Sequence, residues 1–125
     1  MVLKKHLELL KGRKLINDSL IEIMLKIENR LITFWCVDVT TTQVEMGLVH
    51  LAMALGRIKR GCAALPLNKD MFAEIKSAVC FPQVLRIHAD ILTLIPFTVP
   101  ESEQTHLIAN WYSLILAQPW VLDER

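Results

Sequence analysis

Leu20, Ile23, Met24, Ile27, Leu31 and Phe34 recur at steps of three or four residues, the period that places side chains on one face of an α-helix. Nowhere does the sequence alternate apolar and polar residues over a strand's length between turn signals; Cys36-Val37-Asp38-Val39 comes nearest and is short. Breakers set the helix limits. Gly12 and Asn17-Asp18-Ser19 precede the first long run, which Asp18 or Ser19 can cap, with Glu22 in its first turn. Thr40, Thr41 and Thr42 offer caps for a second helix, and Glu45 stands three residues after Thr42 as in a capping box. That helix runs to Arg60 and stops at Gly61, with Arg57, Lys59 and Arg60 in its last turn, where the helix dipole favours cations. Asn68 caps a third helix over 69–79, Pro82 suits the first turn of a fourth over 81–94, and a fifth starts at Thr98 or Val99 and runs to Gln118. The sequence therefore predicts an all-α, compact five-helix bundle, with an extra amino-terminal helix as an option.

The 125 residues support one domain. A basic segment or linker over 1–17, a helical domain over 18–118 and a carboxy-terminal tail over 119–125 are expected. Residues 1–14 carry five basic side chains against one acidic, a net of +4, while the remainder carries −3. The basic segment reads as a solvated linker, as the frayed end of a helix, or as the place where an effector domain was joined. The slightly acidic body argues against direct nucleic-acid binding. Cys36, Cys62 and Cys80 are odd in number and lack a C-x-x-C spacing, so they read as small buried hydrophobes in a reducing cytoplasm, with no metal site. Lys4, Lys5 and His6 interrupt any signal peptide, and no stretch of about 20 apolar residues exists to span a membrane. A hydrophobic fraction of 53% exceeds the usual range of about 45–50%. Much of the excess lies in the uncharged stretch from Met46 to Gly56, which suggests a subunit interface there.

His50 stands in the middle of that stretch. Gly47 and Ala54 on the same helical face leave room beside the ring, and Gln43 and Arg57 make both ends of the face polar. Histidine titrates near pH 6.5, so a neutral imidazole in such a place is a competent nucleophile near neutrality. The competing assignment is a core histidine bonded to a carbonyl. On the fifth helix Glu103, His106, Asn110, Ser113 and Ala117 form a polar-to-small stripe, which is either a site or simply the wet face. His88 and His6 lie in no constellation and read as surface residues. Gly47 and Gly56 inside a helix cost about 1 kcal/mol each relative to alanine, which points to close packing or to access for something large. No paired carboxylates, metal cluster or nucleophile motif marks an enzyme, and no cofactor motif is present.

His50-x6-Arg57-x3-Gly61 on one helix, followed by Pro100-Glu101-Ser102-Glu103 opening an aliphatic helix, resembles the PTS regulation domain (PRD) over roughly residues 18–118. These domains occur in bacterial sugar-operon antiterminators and transcription activators. The resemblance implies a five-helix bundle that forms an antiparallel homodimer. It also implies a histidine that takes a phosphoryl group from the phosphocarrier protein HPr or a sugar-permease component of the phosphotransferase system. That event resets the dimer and so an attached nucleic-acid-binding domain. His50 matches the first phosphoacceptor. The position of a second falls on Asn110, whose amide cannot accept a phosphoryl group, and His106 lies one turn earlier. Residues 1–17 are too short for an effector domain, so a free-standing module and a domain cut from a longer regulator are both open.

On this reading a phosphoryl group on His50 adds about −1.5 to −2 charges. Arg57 is the candidate donor to it, and Glu103, if close, repels it. The other class of function is a non-phosphorylated helical dimerisation or docking module.

Overall fold

The computed structural model describes residues 2–122, and among them every regular element is helical. Six α-helices follow one another: α1 (Val2–Gly12), α2 (Asp18–Thr33), α3 (Thr42–Lys59), α4 (Lys69–Lys76), α5 (Phe81–Leu92) and α6 (Glu101–Ala117). A single 3-10 turn, Pro119–Leu122, comes after α6. The bundle thus has six helices and not five. The added one is α1, whose Leu3 and Leu7 are buried and which packs on α3 and α2. The segment expected to be a solvated linker gives Leu3, Leu7 and Ile16 to the core, because leucines at i and i+4 give even this basic helix one apolar face.

Helix limits follow local chemistry. α2 is capped by Asn17, whose Oδ1 accepts the Leu20 N–H at 3.0 Å, rather than by Asp18 or Ser19. α3 is capped by Thr41 through its Oγ1. That choice puts Glu45 one residue beyond the capping-box position, so the box expected from Thr42 does not form. At the far end of α3, Gly61 adopts φ +75°, its N–H reaches Ile58 O at 3.0 Å, and Cys62 N–H reaches Arg57 O at 2.9 Å. This is a Schellman closure, which needs a left-handed residue at that point. α4 and α5 end before the expected Val79 and Leu94, and α6 starts at Glu101 rather than at Thr98 or Val99.

α3 is the axis of the bundle. It packs on α1, α2 and α6, and α6 in turn packs on α4, α5 and the 3-10 turn. Contact on three sides explains why the stretch from Met46 to Gly56 lacks charge: Leu48, Val49, Leu51, Ala52, Ala54 and Leu55 are all buried within the chain. A subunit interface is not needed to account for that stretch. The stripe expected on α2 is also where it should be, with Leu20, Ile23, Met24, Ile27 and Leu31 buried and Phe34 partly so. Each such aliphatic side chain contributes about 1.5–3 kcal/mol.

Two glycines mark the closest approaches to α3. A β-carbon on Gly56 would run into the carbonyl oxygen of Leu15, which also accepts Arg60 Nη1 at 2.7 Å. A β-carbon on Gly47 would meet the Asn110 side chain at 3.1 Å. Polar clamps hold the periphery. Arg30 forks onto Asp90 through Nε and Nη2 at 2.9 and 2.8 Å, and Trp35 Nε1 donates to the same carboxylate at 2.8 Å, tying α2 to α5. Arg30's hydrogen bonds hold the Asp90 carboxyl below the usual range. Residues 36–39, the stretch nearest to a strand pattern, form no strand and are held by side chains of the chain's end. Gln118 Oε1 accepts the Asp38 N–H, Gln118 Nε2 donates to Asp38 O, and Trp120 Nε1 donates to Cys36 O. Val121 is buried, so residues 119–122 are part of the fold, and the rest of the expected tail, 123–125, lies outside the described residues.

Several local expectations are corrected. Cys36 and Cys62 are exposed, since both sit in helix-terminating turns, and Cys80 is partly buried. His88 is 5% exposed and not a surface residue. It falls on the α5 stripe Val84, Ile87, His88 and Ile91, and its Nε2 bonds Gln104 Oε1 at 2.9 Å. Gln104 donates its own amide N–H to Val99 O, so Nε2 is the protonated nitrogen of a neutral ring. His6 is partly buried, with Nδ1 3.8 Å from Glu45 Oε2.

Burial lowers the pKa of His88. The unfolded chain therefore binds a proton more readily, and stability is lost as pH falls below the unfolded value of about 6.5. Removing the ring by His88→Leu should flatten this. The unfolding free energy of wild type minus that of the variant should fall with pH below 6.5, by at most about 1.4 kcal/mol per pH unit. A difference that does not vary between pH 7.5 and 5 in urea titrations contradicts the assignment. In the same assay Gly56→Ala should cost about 1–2 kcal/mol net, because backbone must move despite the helix-propensity gain. Gly47→Ala should change stability by less than about 1 kcal/mol, since its neighbour is a side-chain amide that can shift.

Candidate functional site

The outward face of α3 carries His50, Met53 and Arg57, spaced so that they lie one above another along the helix. α6 runs alongside and presents His106, Leu107 and Asn110. Together with Leu51 and Ala54 these residues line a groove of about 270 Å³. Four of the five residues singled out from sequence, His50, Arg57, His106 and Asn110, are thus brought to one place from two helices. The fifth, Glu103, is one turn before His106 and lies beneath the groove, fully buried.

His50 is exposed, and among the described residues no hydrogen bond ties its ring down. The assignment as a core histidine bonded to a carbonyl is therefore set aside. The small residues Gly47 and Ala54 on its face serve the packing of α3, and the ring stands clear of that packing.

Arg57 and Glu103 form the site's charged foundation. Arg57 Nε and Nη2 fork onto Glu103 Oε2 and Oε1 at 3.1 and 3.0 Å, and the Ala64 N–H adds a third bond to Oε2 at 3.0 Å. Burial pushes the Glu103 carboxyl up, but the hydrogen bonds from Arg57 and Ala64 and the nearby positive charge outweigh it, holding the group below the usual carboxylate range. The fork uses two of five guanidinium donors. The Arg57 side chain remains one-third exposed, so it faces both the buried carboxylate and the groove.

From Glu103 to Asn110 the stripe along α6 is a seam, while Ser113 and Ala117 are exposed. Glu103 holds Arg57, His106 Nε2 bonds Leu65 O at 2.7 Å, and Asn110 Nδ2 donates to Gly47 O at 2.9 Å. Ser113 O accepts Gln43 Nε2 at 3.1 Å. Asn110 is a clamp between α6 and α3, and its close approach explains why α3 carries a glycine at 47. Sequence reading missed Thr105, whose Oγ1 accepts the Leu67 N–H at 2.9 Å. Its position two residues after Glu103 carries no periodic signal. It missed Asp90 as well, because the partners Arg30 and Trp35 are far away along the chain.

Chemically the groove offers an accessible imidazole, a second imidazole, an amide and a guanidinium shared with a buried carboxylate. Among the described residues no group of three or more histidine, cysteine or acidic side chains is placed to hold a metal ion. No helix is long and apolar enough to cross a membrane.

No family model and no solved structure matches the chain. Over 118 residues, 94% of each chain, it is 48% identical to an uncharacterized protein of Haemophilus influenzae. The chain belongs to the family of that protein. It is also 29% identical over 115 residues to the uncharacterized protein YhfY of Escherichia coli, spanning 92% of this chain and 96% of YhfY.

The pair beneath the groove dictates a stability pattern. Arg57→Ala leaves Glu103 buried without its cation and should cost about 3 kcal/mol, the low end for a buried pair because Arg57 is partly exposed. Adding Glu103→Gln to that variant should recover part of the loss, since the uncompensated charge is then gone. Urea denaturation of the single and double variants checks this, and a double variant no more stable than Arg57→Ala contradicts it.

Proposed function

We propose that the chain is a PRD-like regulatory module of the bacterial phosphotransferase system, in which His50 accepts a phosphoryl group. The observation that carries the reading is the placement of His50. It stands exposed and untethered on the rim of a groove that also holds the one-third-exposed Arg57 and His106. A phosphoacceptor must be reachable by a donor protein's own phosphohistidine and must have donors ready for the arriving oxygens, and the groove supplies both.

In the transfer, a ring nitrogen of neutral His50 forms a bond to phosphorus as the donor's P–N bond breaks. The donor imidazole takes up a proton as the ring of His50 gives one up, so the exchange is balanced and close to isoenergetic. Arg57 meets the phosphoryl oxygens, His106 and the Asn110 amide border them, and the charge of about −1.5 to −2 is a local change of the kind that resets a helix or subunit contact. The cytoplasm is the matching compartment, HPr or a sugar-permease component the donor, and a homodimer the matching assembly. The event is stoichiometric signalling and not turnover.

A helical docking module without phosphorylation is the second reading. Asn110 favours it, since at the second acceptor position this chain has a structural clamp. The two separate on incubation with phosphoenolpyruvate, enzyme I and HPr, followed by intact-mass and peptide analysis. Wild type should gain one phosphoryl group on His50, His50→Ala should gain none, and His106→Ala should retain most of the labelling. Equal labelling of wild type and His50→Ala ends the acceptor reading, and no labelling of a protein that proves dimeric in solution supports the docking one.

A further inference from the structure

The segment that joins α3 to α4, residues 61–68, has no regular structure, and none of its residues is buried. Leu65 is 85% exposed. Gly61 and Cys62 close onto the end of α3 and Leu67 packs against the core, while the middle of the segment is tied by hydrogen bonds to the first turns of α6. Ala64 N–H donates to Glu103 Oε2 at 3.0 Å, Leu67 N–H donates to Thr105 Oγ1 at 2.9 Å, and His106 Nε2 bonds Leu65 O at 2.7 Å. Two of these three ties end on residues that the groove also uses. His106 lines the groove itself, and Glu103 is held in place by Arg57, which lines it.

We infer that residues 61–68 form a latch that a phosphoryl group on His50 opens; this rests on the acceptor reading above and names how that site is read out. A dianion arriving in the groove competes with Glu103 for the guanidinium of Arg57, and phosphoryl oxygens take such a fork at least as well as a carboxylate does. Glu103 then becomes a buried carboxylate without its cation, beside a second negative charge. It must take up a proton or turn out of its site, because an unpaired ion is costly there. Either response weakens the acceptor of the Ala64 N–H. The phosphoryl oxygens are also stronger acceptors than Leu65 O for the ring N–H of His106, which lines the same groove. Of the three ties to α6, only that of Thr105, which has no link to the groove, then remains. Opening the latch uncovers the amino-terminal half of α6 and frees the already exposed Leu65, so a charge on α3 becomes a change in the surface offered to a partner.

The test uses the intact chain and potassium phosphoramidate as the probe. A lone pair of the neutral His50 ring bonds to phosphorus, the P–N bond of phosphoramidate breaks, and ammonia leaves with the ring proton as ammonium. Peptide mass analysis reports phosphoryl uptake at His50, and amide exchange followed by NMR reports the latch. Exchange at Ala64 should rise about tenfold on phosphorylation, the loss of one charge-assisted hydrogen bond. Exchange in α2 and α5 should stay as it was. Full uptake at His50 with unchanged exchange at Ala64 overturns the latch and leaves the acceptor reading standing; absence of uptake overturns both. Glu103→Gln should show fast exchange at Ala64 before any phosphorylation and little further rise after it. Thr105→Val spares the Arg57–Glu103 pair and keeps the idea testable if that variant folds poorly. It should speed exchange at Leu67 at once and retain the Ala64 response, and loss of that response contradicts the route through Arg57 and Glu103.

Discussion

The carboxylate of Glu103 is fully buried in a core that is mostly aliphatic, and its two oxygens take three hydrogen bonds from Arg57 and the backbone of Ala64. A charge so placed is tolerated only where partners replace the water it has lost. That requirement ties together three parts of the chain: α3 through Arg57, α6 through Glu103, and the connection between α3 and α4 through Ala64. Helix packing alone could slide along the α3–α6 contact at modest cost, but an ion pair with a bidentate fork cannot. The register of α6 against α3 is thereby set, and with it the placement of His106 and Asn110 beside His50.

Around that pair the fold is arranged for close approach to α3. Gly56 lets the α1–α2 turn come down on the helix through Leu15 O, and Gly47 lets Asn110 bond its carbonyl. The glycines lower the intrinsic helix propensity of α3 by about 1 kcal/mol each, a cost offset by contact on three sides. The outward side of α3 is what remains, and His50 occupies it. Its exposure follows from the same geometry that buries Leu51 and Leu55.

For the proposed function, the consequence is that the groove's cation is not idle before a phosphoryl group arrives. Arg57 is already committed to Glu103, so any anion in the groove acts on a pair and not on a vacant site. A shared cation of this kind turns binding or modification at one place into a disturbance at another. It needs no change in the aliphatic core, only a competition among two acids for one fork.

The helical class, the apolar stripe of α2 and the end of α3 at Gly61 were legible in the sequence. Each depends on chemistry within a turn or two: periodicity, a cap, a residue that tolerates positive φ. His50, Arg57, His106, Asn110 and Glu103 were legible as candidates from helical spacing and from a resemblance to a known family, although their gathering in one place was not. The packed α1 was visible in Leu3 and Leu7, but its basic charge hid it. Only the tertiary structure decided that His50 is exposed and His88 buried, that Arg57 belongs to Glu103, and that the first turns of α6 hold residues 61–68. The bonds of Glu103, Thr105, His106 and Asn110 join residues 38 to 63 positions apart. No local rule of spacing encodes them, because burial and pairing are properties of the neighbours that packing brings in.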